Sequence, residues 1–87
     1  MRESLIEKQL VKRVKELGGE VRKVNWVGRS GAPDRVVMLP LGAIWVELKA
    51  TGKKAEPHQQ REHNRMRRMG QRVEVVDSFE RIEVILK

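Results

Sequence analysis

Pro33-Asp34-Arg35-Val36-Val37-Met38-Leu39-Pro40-Leu41-Gly42-Ala43-Ile44-Trp45-Val46-Glu47-Leu48-Lys49 is two runs of β-branched and apolar residues, broken only at Pro40-Leu41-Gly42. Such runs around a short turn predict two strands, Asp34 to Leu39 and Ala43 to Lys49, joined as a tight antiparallel hairpin. With the turn centred between Leu41 and Gly42, Asp34 stands opposite Lys49 and Val36 opposite Glu47. Side chains alternate along a strand, so Asp34, Glu47 and Lys49 then project from one face, with the two acids as diagonal neighbours.

Upstream, Gly28-Arg29-Ser30-Gly31-Ala32-Pro33 is too rich in glycine for regular structure and reads as a loop leading into Asp34. Before it, Glu20 to Val27 has the β-branched and aromatic content of a strand. A first helix starts at Ser4, carries Ile6, Leu10, Val14 and Leu17 on one face, and stops at Gly18-Gly19. Downstream, a polar loop from Ala50 to Glu56 leads to Pro57, in the first turn of a second helix that runs to Met69 and is closed by Gly70. Val73, Val75 and Val76 form a fourth strand, and Ser78 caps a short terminal helix or turn ending in Val84-Ile85-Leu86. The order α-β-β-β-α-β defines an α/β fold, a mixed sheet flanked by helices, in one domain spanning residues 1–87 with no internal repeat.

With 39% hydrophobic and 36% charged residues, the chain is apolar enough to fold and leaves much of its surface ionic. Nineteen Lys and Arg against twelve Asp and Glu give a net charge of +7, which attracts polyanions through phosphate contacts and counterion release. Nucleic acid is therefore the expected partner. A membrane surface is not: that would need Trp, Phe and Leu gathered on one helical face, whereas Trp26, Trp45 and Phe79 lie in or near strand-like or short terminal segments. The absence of cysteine excludes disulfides, thiolate zinc sites and a Cys nucleophile, and suits an intracellular, cytoplasmic setting. No apolar run is long enough to cross a bilayer, and the first helix does not read as a signal peptide.

Two carboxylates on one face suit a hard divalent cation such as Mg²⁺ or Mn²⁺, which keeps several waters and an open position for a phosphate oxygen. A neighbouring lysine contacts the attacking water or the phosphate and stabilises the charge that develops on it. An acid two places before a lysine is expected roughly once by chance in such a chain, so the short motif alone carries little. Its context carries more: charged residues inside an otherwise apolar strand are costly unless solvated or used. A solvated surface ion pair is the bland alternative. Glu7 is open to two readings, since Ser4-Leu5-Ile6-Glu7 is also a capping box. His58 and His63 are five residues apart and do not share a helix face, so surface or DNA-backbone roles are expected for them rather than metal ligation. No Ser-His-Asp set, P-loop or dinucleotide fingerprint is present.

Pro33-Asp34 followed thirteen positions later by Glu47-Leu48-Lys49, in an α-β-β-β-α-β chain, resembles the PD-(D/E)xK nuclease superfamily and its restriction-endonuclease-like core. Gly31-Ala32-Pro33-Asp34-Arg35, with Pro57-His58-Gln59-Gln60 opening the later helix and Gly70 at its end, is similar more narrowly to the VRR-NUC family. The resemblance spans about residues 3 to 76 and rests on the combination of motifs. It implies that Asp34 and Glu47 hold the divalent metal, that the Leu48 carbonyl adds a ligand, and that Lys49 is catalytic. It further implies an acid from the first helix, matched by Glu7, and a glutamine early in the later helix, matched by Gln59, with Gln60 as the alternative.

Arg29 and Ser30 precede Asp34, and Lys53 and Lys54 follow Lys49, so these loops and Arg61 are expected to hold the phosphates of the scissile strand. Arg61, Arg65, Arg67, Arg68 and Arg72 form a second basic region that could track a duplex, though a charge run on a helix is usually only a solvated face. The expectation is thus a metal-dependent DNA endonuclease, the alternative being a non-catalytic basic nucleic-acid-binding protein. Selectivity for branched DNA such as Holliday junctions or flaps is what the resemblance implies, a homodimer would place two sites on one such substrate, and a bacterial or phage origin fits it.

Overall fold

The computed structural model describes all residues from Met1 to Lys87. Its elements are α1 (Glu3–Glu16), β1 (Glu20–Lys23), β2 (Arg35–Leu39), β3 (Gly42–Leu48), α2 (Pro57–Arg68), β4 (Val73–Val76) and α3 (Phe79–Ile85). The four strands lie side by side in the order β1-β2-β3-β4, antiparallel except for the parallel pair β3 and β4, which is bridged by α2. The expected α/β architecture with a mixed sheet flanked by helices is the one observed.

Alternation along β3 splits the sheet into two faces. Ile44, Val46 and Leu48 turn to one side, where they join Val37 and Val76 and bury the stripe Ile6, Leu10 and Val14 of α1 and Ile82 and Ile85 of α3. The spacing of four along α1 keeps those three side chains on one line, which is why they are fully buried while the lysines between them are exposed. Trp45 and Glu47 turn to the other side of the sheet, which α2 covers with His63 and Met66. Ser78 caps α3 by accepting the Arg81 N–H at 3.1 Å.

The register of the hairpin differs from the sequence expectation. Leu39 pairs with Gly42 and Arg35 with Val46, so the loop is Pro40-Leu41 and Asp34, one residue ahead of β2, faces Glu47 rather than Lys49. Proline explains the difference. A loop of Leu41-Gly42 would make Pro40 the last paired residue, where its missing N–H leaves the ladder short of a donor, whereas its fixed φ suits the first corner of the turn. The shift moves partners by two positions, so Asp34, Glu47 and Lys49 keep a common face. Element boundaries also move, those of β2, β3 and α2 by a single residue. β1 ends at Lys23 rather than Val27, and α1 begins at Glu3 with Arg2 as N-cap and no side-chain cap, so Ser4 and Glu7 form no capping box.

Candidate active site

Asp34 is fixed by its own backbone and its neighbours. The Val24 N–H donates to its carbonyl at 3.0 Å, Arg35 Nη1 donates to the same carbonyl at 2.8 Å, and the Leu48 N–H donates to its Oδ1 at 3.1 Å. Glu47 is only 3% exposed, yet it is poorly bonded. Its Oε2 accepts from Gln59 Nε2 at 3.3 Å and lies 3.7 Å from Lys49 Nζ, while its Oε1 has no hydrogen-bond partner. The basic group that faces that oxygen is His63, whose Nε2 lies 3.7 Å away and is itself buried and unpartnered.

Two carboxylates facing each other under cover raise each other's proton affinity. Burial first, then the negative charge of Asp34, push Glu47 from the ordinary 4.5 up to about 7, against the opposing pull of Lys49. Burial likewise raises Asp34, with the Leu48 N–H and Arg35 working in the other direction. The charge of Glu3, near the start of α1, adds to both shifts. A buried cradle whose facing acids are undercompensated by Lys49 fits a hard divalent cation. No three Asp, Glu or His side chains are arranged to cage an ion by themselves, so the rest of a cation's shell falls to carbonyl oxygen, water and phosphate.

The other expected residues fall into three groups. Gln59 belongs to the site: its Oε1 caps α2 on the Glu56 N–H at 2.8 Å while its Nε2 reaches Glu47, so one side chain serves as cap and partner. Gln60 turns away and donates to the Ala55 carbonyl at 2.7 Å. Glu7 sits on the α1 side of the sheet, paired with Arg35, and touches Asp34 only through that guanidinium. Lys53, Lys54, Ser30 and Arg61 are exposed and make no ion pair. Lys53 and Lys54 border a shallow hollow of about 340 Å³ together with Gln60, Asp77 and Arg81. Within the second basic region, Arg67 and Arg72 are spent on structure, on the carbonyls of Val73 and Ile85 respectively.

Three residues escaped the sequence reading. His63 is buried rather than on the surface, and the spacing that mattered was the four residues from Gln59, which put both on the face of α2 turned to Glu47. Glu62, 5% exposed, accepts from Trp26 Nε1 at 2.7 Å and from Arg65 Nε at 2.9 Å and pairs with Arg29 Nη2 at 3.1 Å. Burial would raise this carboxyl, but Arg65, Trp26 and Arg29 outweigh it and hold it below the ordinary range. Glu62 thereby pins the loop before Asp34 to α2. The same loop approaches so closely that a Cβ on Gly31 would stand 2.8 Å from the His58 carbonyl oxygen and 2.9 Å from Glu62 Cβ. Gly31 also has φ +94°, which only glycine adopts freely. Trp26, displaced from the expected strand, stacks at a tilt on Trp45 with ring centroids 5.7 Å apart.

No family model matches the chain. A protein of Acyrthosiphon pisum secondary endosymbiont phage 1 described as "Putative nuclease p44" is 49% identical over 79 residues, covering 90% of this chain and 85% of the relative. A solved structure described as a VRR_NUC domain superposes with a TM-score of 0.88 at 44% identity, covering 97% of this chain and 92% of that one. Fold and motif set the protein among the PD-(D/E)xK nucleases. Within that superfamily, the chain belongs to the VRR-NUC family.

Proposed function

We propose that the protein is a Mg²⁺- or Mn²⁺-dependent endonuclease that hydrolyses DNA, with Asp34, Glu47, Lys49 and Gln59 as its working residues. The observation that supports this reading best is the buried Glu47 carboxyl, which faces Asp34 with Lys49 Nζ 3.7 Å away as the opposing positive charge. Asp34, Glu47 and the Leu48 carbonyl would hold the cation. When bound, it supplies a Lewis acid for a phosphate oxygen and a water of lowered pKa. Lys49 then places its charge where the phosphate gains negative charge, and Gln59 keeps Glu47 oriented. Glu7 contributes at one remove, by setting Arg35 against Asp34. Arg29, Ser30, Lys53, Lys54 and Arg61 hold the phosphates on either side of the cut.

Selectivity in this reading comes from the shape of the substrate, and a homodimer brings two sites to one branched junction. The test is cleavage of end-labelled duplex, flap and four-way junction DNA in Mg²⁺, Mn²⁺ or EDTA, with light scattering for the mass. Metal-dependent cuts that favour the branched substrates are expected. Salt-sensitive binding without cleavage on any substrate would overturn the reading in favour of a nucleic-acid-binding protein, and a strictly monomeric mass would remove the paired-site part.

A further inference from the structure

Gln59 and His63 stand one turn apart on α2 and address the two oxygens of the same carboxylate. Gln59 Nε2 donates to Glu47 Oε2 at 3.3 Å, and His63 Nε2 lies 3.7 Å from Glu47 Oε1. His63 is 1% exposed and Glu47 3%, and both facing atoms are without a partner. A buried polar atom left unbonded is costly, and here two such atoms of opposite character face each other at somewhat more than a hydrogen-bond length.

We propose that His63 is a positioning residue for Glu47: with its proton on Nε2 it donates to Oε1, and together with Gln59 it locks the carboxylate plane so that the remaining lone pairs converge with those of Asp34. This rests on the reading that Glu47 holds a cation. A carboxylate that binds a metal must be oriented by donors outside the metal's own shell, and loss of such a donor costs about 10- to 100-fold in affinity. The histidine is thus not a ligand. Its work is done through Glu47, from the side of α2.

The experiment is calorimetric titration of Mn²⁺ into the full chain and into His63→Leu, His63→Gln and Asp34→Asn, each first checked for folding by thermal denaturation in EDTA. Leucine keeps apolar bulk in the buried position, and glutamine returns an N–H at about the reach of Nε2. The expected result is Mn²⁺ affinity lowered about 10- to 100-fold in His63→Leu and restored to within about 3-fold of the parent in His63→Gln. Should His63→Leu not fold, His63→Met takes its place, since a flexible thioether fits irregular space without donating. Unchanged affinity in the leucine or methionine variant would overturn the proposal, as would equal losses in the apolar and glutamine variants, which would mark packing alone. If Asp34→Asn also binds Mn²⁺ like the parent, the cation reading itself has failed and this proposal falls with it. If Asp34→Asn loses binding while the apolar His63 variant keeps it, only the assignment of His63 has failed.

Discussion

Replacing Glu47 with glutamine should make the metal-free protein more stable, and only at one end of the pH scale. Folding lifts the Glu47 carboxyl from the ordinary 4.5 to about 7, through burial and the facing Asp34. Between those values the folded state holds a proton that the unfolded chain has released, so stability falls as the pH rises through the window and this contribution is gone above about 7. At about 1.4 kcal/mol per pKa unit, the whole span is worth about 3 kcal/mol. The amide of the variant is neutral at every pH and mimics the protonated acid. Glu47→Gln should therefore match the parent near pH 4.5 and exceed it by up to about 3 kcal/mol at pH 8.5, in EDTA. For a chain of this size 1 kcal/mol moves Tm by about 4–8 °C, so the gap is well within reach of thermal or urea denaturation followed by tryptophan fluorescence. A gap between the two proteins that stays constant from pH 4.5 to 8.5 would refute the reasoning. Excess Mg²⁺ should reverse the order at pH 8.5, since the parent gains binding free energy that Glu47→Gln does not.

Lys49→Ala should fold normally, since the lysine is at the strand's end, and should cut DNA about 10²- to 10³-fold more slowly in single-turnover assays; a rate within about 3-fold of the parent would remove Lys49 from the chemistry. Gly31→Ala should cost more than about 2 kcal/mol by urea denaturation, because both its φ of +94° and the backbone 2.8 Å from the new Cβ resist it. Glu62→Ala should free the loop before Asp34, seen as increased acrylamide quenching of Trp26 fluorescence in a Trp45→Phe background; unaltered quenching would mean that the loop holds without its carboxylate anchor. Leu10→Ala, in the core line of α1, should cost about 2–5 kcal/mol by the same denaturation, against about 0.5 kcal/mol or less for Leu41→Ser at the exposed hairpin tip.

The elements with strong local signals were legible from the chain. The stripe Ile6-Leu10-Val14, the alternation through Ile44, Val46 and Leu48, and Pro57 with Gly70 around α2 each encode their structure within a few residues. The common face of Asp34, Glu47 and Lys49 was legible too, because it depends only on the parity of the hairpin and survives a shift of two in its register. What the sequence concealed depends on contacts between distant segments. Trp26 leaves the sheet because a buried carboxylate 36 residues away takes its indole N–H, and Glu7 forsakes its own helix start for Arg35. His63 reads as a surface residue on a basic helix until α2 is laid across the sheet beside Glu47. Its spacing from Gln59, rather than from His58, carried the signal.

The claim that the two facing carboxylates form a cation site is tested most directly by titrating Mn²⁺ into the parent, Asp34→Asn and Lys49→Ala by calorimetry at about pH 8, where Glu47 is ionised. Binding in the parent and in Lys49→Ala, with its loss in Asp34→Asn, is the result predicted here. Equal binding by the parent and Asp34→Asn, or none by any of the three, would contradict it.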